Sequence, residues 1–125
     1  MSAKSKTSIR WRKQPDDHNY QAATSYLTLL HSRVKAGRLV AALRRAPLTE
    51  FMAKDIFRAS QLSLLGISNS QVERDLEKIR DGGKLSPLLL VRDEAHGKVV
   101  IADGYHRLCA VYSLDEDAWI PCKIV

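Results

Sequence analysis

Val99-Val100-Ile101-Ala102-Asp103-Gly104-Tyr105-His106-Arg107-Leu108-Cys109-Ala110 changes character in the middle. Val99 to Ala102 is a short apolar run rich in β-branched residues, which reads as a buried strand. Leu108 to Leu114 is apolar again and reads as a helix. Gly104 stands at the corner, where a residue without Cβ takes backbone angles closed to others and lets a ligand approach the main chain. The first amides of a helix lack intrahelical partners and carry the positive end of its dipole. His106 and Arg107 add two donors at the same corner. The combination predicts a cradle for a phosphate or carboxylate. A plain solvated strand–helix turn would carry the same residues, so the pentapeptide alone leaves both readings open.

Around this corner, residues 69–125 run helix, strand, turn, strand, corner, helix, strand. Ser68 or Asn69 caps a helix that the Gly82-Gly83 pair stops. Leu88 to Val91 is a buried strand, Asp93 to Lys98 a turn with Gly97 near its end, and Trp119 to Val125 the closing strand. Upstream, Thr49 to Ala53 reads as a strand, Lys54 to Ser60 as a short helix, and Leu62 to Ile67 as an apolar loop. Pro15-Asp16-Asp17 starts a helix with Ala23, Tyr26, Leu27 and Leu30 on one face. Ser32 caps a second helix carrying Val34, Leu39, Val40 and Leu43, and Pro47 stops it. This helical hairpin must lay its apolar stripe on the rest of the chain. Residues 1–14 are polar, basic and aperiodic, and read as a flexible arm. The expectation is one domain over 15–125: a helical hairpin at 15–46 and an α/β core at 47–125, with a small mixed sheet of about four strands and packed helices.

The chain has 125 residues, 45% hydrophobic and 27% charged, enough for a single core. No apolar run approaches the roughly 20 residues that span a bilayer, and no hydrophobic segment follows the basic N-terminus. The expectation is a cytoplasmic protein without a membrane partner. Cys109 and Cys122 sit in apolar segments and read as reduced, buried thiols. His18, His31, His96 and His106 are scattered, and neither cysteine has a partner at zinc spacing.

The net charge of +6 is unevenly placed. Residues 1–45 carry ten Lys/Arg against two acids, and residues 46–125 ten against twelve. Any nucleic-acid contact therefore belongs to the N-terminal third. Lys4, Lys6, Arg10, Arg12 and Lys13 meet no acid there, and Trp11 among them can stack on a base. A solvated tail has the same composition.

Four segments together resemble the ParB/sulfiredoxin-like superfamily: Val72-Glu73-Arg74-Asp75-Leu76-Glu77-Lys78-Ile79, Leu85-Ser86-Pro87-Leu88-Leu89-Leu90-Val91, Asp103 to Ala110, and Ile120-Pro121-Cys122-Lys123-Ile124-Val125. ParB proteins place a Gly-Glu-Arg-Arg type sequence at Gly104 to Arg107, and sulfiredoxins Gly-Cys-His-Arg. The resemblance covers about half the chain well and leaves residues 1–46 outside. It implies a nucleotide or phosphate-ester binding domain, with phosphohydrolase or phosphotransfer activity among relatives. Gly104 would admit the phosphate, Tyr105 would line the cradle, and His106 and Arg107 would donate. Gln71, Arg74 and Lys78 take the register of a nucleotide-binding helix, and Ser86 lies near the site at the start of the central strand.

The chain also departs from the superfamily's pattern. Tyr105 stands where sulfiredoxins keep the nucleophilic cysteine, so thiolate attack is not expected. With the chain ending at Val125, the DNA-reading helix-turn-helix that comes after this domain in ParB proteins is not expected either. Asp103 can hold a Mg²⁺ accompanying a nucleotide, act as a general base, or cap the helix behind it. Arg107 can bind a ligand or pair with Asp103 or Asp115. The helix face of Arg74 and Lys78 can meet phosphate or be solvated and paired with Glu73, Asp75 and Glu77. Three functions stay open: phosphate or nucleotide binding at Gly104, nucleic-acid contact through the arm, and a non-catalytic interaction module.

Overall fold

The computed structural model describes residues 8–66 and 69–125. In chain order the elements are β1 (Arg10–Trp11), α1 (Asp17–Leu27), α2 (Arg33–Arg45), β2 (Thr49–Met52), α3 (Ala53–Ser60), α4 (Ser70–Arg80), β3 (Lys84–Leu85), β4 (Leu88–Asp93), β5 (Lys98–Asp103), α5 (Tyr105–Leu114) and β6 (Trp119–Ile124). A 3₁₀ turn at Glu94–His96 joins β4 to β5. The main sheet has the order β2-β6-β4-β5. β6 runs antiparallel to β2 and parallel to β4, and β4 runs antiparallel to β5. This is the small mixed α/β sheet that the sequence predicts.

Side chains alternate across a strand, so β4 divides its apolar run between two layers. Leu88 and Leu90 join Ile101, Ile120 and Cys122 under α3, α4 and α5. Leu89, Val91 and Ala102 face the α1–α2 hairpin, where Tyr20, Ala23, Leu27, Ala36, Val40 and Leu43 cover them. The sheet is thus sandwiched, with the hairpin as one whole layer. Lys123 on β6 is buried in that layer, and its Nζ donates to the Arg44 carbonyl at 2.9 Å, satisfying an orphan acceptor at the end of α2.

The helix starts follow their cap residues. Asn19 Oδ1 accepts from the Asp16 amide at 2.8 Å, and Ser32 Oγ from the Lys35 amide at 3.2 Å. Asn69 Oδ1 accepts from the Gln71 and Val72 amides at 3.0 and 3.1 Å.

Two expectations are corrected. Tyr26, Leu30 and Val34, assigned to the hairpin's apolar stripe, are exposed, because Tyr20, Ala23 and Leu27 define the buried face of α1 and Ala36, Val40 and Leu43 that of α2. The arm at 1–14 is not free over its described part. Arg10–Trp11 pair in parallel with Lys84–Leu85, the Arg12 amide donates to the Leu85 carbonyl at 2.8 Å, and Ile9 and Trp11 pack on the larger core. Two apolar side chains and a short ladder tie down a segment whose basic composition reads as loose. Lys4, Lys6 and Ser68 lie outside the described residues. No helix among the described residues is long and apolar enough to cross a membrane.

Candidate functional site

β5 delivers the chain to Gly104, whose φ of +112° lies in the left-handed region. A Cβ there would stand 2.7 Å from Leu88 Cγ and 2.9 Å from Arg107 Nη2, so the corner has room only for glycine. α5 starts immediately afterwards with no side-chain cap, and its first closing bond runs from the Leu108 amide to the Gly104 carbonyl at 2.9 Å. A cleft of about 290 Å³ opens at this start, lined by Gln71, Asp75, Asp103, Gly104, Tyr105, His106 and Arg107. A second cleft of about 210 Å³ adjoins it, where Arg12, His18, Lys78 and Ser86 meet Arg107 and Asp75 from the other side. Arg107 and Asp75 line both.

Arg107 takes Asp103 as its partner, one of the two acids within its reach in sequence. Nη2 stands 2.8 Å from Asp103 Oδ2 and 3.4 Å from the Pro87 carbonyl. Both side chains are about 15% exposed (16% and 15%). The Arg107 Nε is buried and, among the described residues, has no hydrogen-bond partner. Asp103 does not cap α5; its Oδ2 also accepts from Asn19 Nδ2 at 3.0 Å, which ties the corner to the hairpin layer. Tyr105 Oη donates to the Ser63 carbonyl, fastening the loop before α4 across the start of α5.

α4 contributes a residue that its charged neighbours disguise in the sequence. Asp75, read from the sequence as part of a solvated face, is only 8% exposed. Its side chain accepts from the Gln71 side-chain amide at 3.5 Å. Burial raises its pKa above the ordinary carboxylate value, against the opposing pull of Arg107, Gln71, His106 and Lys78. A signal for it exists: Asp75 interrupts the stripe Val72, Leu76 and Ile79 at helical spacing, where an acid has no structural reason to be. Asn19, 2% exposed, is disguised in the same way, next to the buried Tyr20.

The remaining candidates separate. Lys78 and Ser86 line the second cleft, whereas Arg74 is exposed and lines neither. Arg12 Nε stands 3.6 Å from Asp16, Arg10 Nη1 donates to the Gly82 carbonyl at 3.3 Å, and Lys13 is exposed. Cys109 and Cys122 are free and buried, and burial raises both thiols, Cys122 to about 12. Among the described residues no group of three or more His, Cys, Asp or Glu comes together around a metal position. Wider clefts lie beside α3 (about 500 Å³) and between the hairpin and the β4–β5 turn (about 560 Å³), but among the described residues neither is lined by a buried ionisable side chain. Compared with known protein families, curated proteins and solved structures, the chain matches none.

Proposed function

We propose that the cleft at the start of α5 binds the phosphate of a nucleotide or other phosphate ester. The observation that carries this reading is the glycine corner itself: α5 opens into a cleft without a side-chain cap, beside His106, Arg107 and the buried carboxyl of Asp75. Unpaired first-turn amides and the helix dipole favour an anion there. α3 also lacks a side-chain cap, but among the described residues no buried ionisable group stands at its start. The resemblance of residues 69–125 to ParB/sulfiredoxin-like domains implies phosphate at the same corner. Were a nucleotide to bring Mg²⁺, Asp103 would be the carboxylate beside the corner to hold it, and its Oδ2 already accepts from Arg107 and Asn19. The test is a thermal-shift screen of nucleotides and sugar phosphates, with and without Mg²⁺. A ligand that binds the native state raises apparent stability by about 2.7 kcal/mol at a hundredfold excess over its Kd. A ligand hit should weaken by about tenfold or more in Arg107→Ala and by less in His106→Ala; hits insensitive to both place binding elsewhere.

A second reading, non-specific contact with nucleic acid, is favoured by one separate observation. No acid occurs from His18 to Thr49, and Arg33, Lys35, Arg38 and Arg45 are exposed on α2 without an ion pair among the described residues. Such contact would weaken steeply with salt. Replacing Arg33, Arg38 and Arg45 by Gln should abolish it, and sequence-selective binding that survives would contradict it.

A further inference from the structure

The cleft at α5 has the wrong charge for the ligand proposed for it. Its lining carries two carboxylates, Asp75 and Asp103, against one guanidinium, Arg107, with His106 as the remaining titratable cation. Asp103 is committed to Arg107 and Asn19. Asp75 is not committed: it is more than nine-tenths buried, lines both clefts, and has one long bond to an amide on its own helix. A buried carboxylate so poorly partnered costs folding free energy, and such groups collect at functional sites. A dianion brought beside it would meet direct repulsion from a carboxylate and a hydrogen bond from a carboxylic acid.

Resting on the phosphate-binding reading above, we propose that Asp75 is the specificity residue of the cleft: its carboxyl enters the complex protonated and donates to an oxygen of the bound anion, so that the ligand is taken up together with a proton. The other groups around Asp75 are Gln71 and Lys78 on α4, His106 and Arg107 on α5, Asp103 on β5, and Arg12, Asp16 and His18 from the segment at the start of α1. Of these, the histidines are the rival proton acceptors. His18 stands 3.9 Å from Asp16 and is largely exposed, and His106 is half-buried at the mouth. Desolvation already favours the neutral form of Asp75, and an anion would favour it further.

The test uses the full chain and sulfate, which stays dianionic across the whole pH range of the measurement. Sulfate affinity, measured by calorimetry at constant ionic strength, should weaken by about tenfold per pH unit above the pKa of Asp75 in the free protein, the slope of one linked proton. In Asp75→Asn, whose amide donates without titrating, binding near neutral pH should be at least as tight as in the native chain and should lose the tenfold-per-unit slope. His18→Gln should keep both affinity and slope, and His106→Gln should bind more weakly at every pH with the same slope. Titrations of the native chain in two buffers of different ionisation enthalpy should show about one proton taken up per sulfate, an outcome that does not depend on any variant folding. A slope that persists in Asp75→Asn, disappears in His106→Gln or His18→Gln, or is absent from the native chain overturns the proposal while the phosphate reading stands. If neither sulfate nor inorganic phosphate binds at any pH, the phosphate reading fails and this proposal fails with it.

Discussion

Arg107 Nη2 and Asp103 Oδ2 stand 2.8 Å apart on either side of Gly104, one residue ending β5 and the other in the first turn of α5. The pair clasps the corner from both sides, and Asn19 extends the clasp through the sheet layer to α1. Holding the corner and binding an anion are thus demands on the same side chain, and the two can be separated experimentally.

Arg107→Ala should destabilise the fold as well as weaken anion binding. Its loss strands a largely buried carboxylate that keeps only Asn19, a defect worth about 1–3 kcal/mol. Arg107→Lys should recover part of it, since charge returns without the planar fork. Arg58→Ala removes a pair exposed on both sides and should leave stability unchanged. Chemical denaturation of the three variants checks the order. An Arg107→Ala protein as stable as the native chain would mean that the clasp contributes nothing.

Gly104→Ala should be among the most damaging small substitutions in the chain. The added methyl would collide with Leu88 and Arg107 at a φ that disfavours any side chain, and strain of this kind is worth about 1–3 kcal/mol before the collision is counted. Gly97→Ala is the control, with φ of +65° and open space around the new atom. Urea midpoints should fall further for Gly104→Ala than for Gly97→Ala. Equal losses would show that φ alone matters and that the corner is not tightly packed.

The sheet and its helices are legible in the sequence because their signals are local. Asn69, Ser32 and Pro15-Asp16-Asp17 mark helix starts, and the apolar runs of β4 and β5 mark buried strands. Features that depend on side-chain direction are not legible in this way. Leu88 to Val91 are all apolar, so nothing in the run says that alternate residues serve different layers. β1 is two residues long and too short to show a period. The glycine corner is visible as a motif, but the choice of Asp103 over Asp115 as partner for Arg107 requires the fold. Asp75 carries a signal in its place on the apolar stripe, but the charged neighbours Glu73 and Glu77 make it read as part of a solvated face, and its burial requires the fold.

Asp75→Asn should stabilise the free protein near neutral pH. Because the folded state raises the pKa of Asp75 above 3.8, the unfolded chain ionises first, and above the folded pKa the buried charge opposes folding. Below about pH 3.8 the residue is neutral in both states, and the advantage of Asn should vanish. Melting temperatures of the two proteins across this range check the sign. An Asp75→Asn protein less stable at neutral pH would make Asp75 a structural partner.

The two thiols should resist modification. Cys109 and Cys122 are fully buried, so a thiol reagent at neutral pH should react only as fast as the protein opens. The raised pKa of Cys122 also has a stability consequence. Its contribution is complete below the unfolded value of 9.0 and declines as pH rises toward about 12, a loss that Cys122→Ala should lack. Rapid labelling of either cysteine in the folded protein would contradict its placement in the core.

The open amides at the start of α5 carry the phosphate reading, and they can be observed one by one. In a ¹H–¹⁵N correlation spectrum of the full chain titrated with inorganic phosphate below neutral pH, the amides of Tyr105, His106 and Arg107 should move most and saturate together. Those of the capped starts of α2 and α4 should stay in place. Saturating shifts confined to other elements, or no saturation anywhere, would contradict a phosphate site at Gly104.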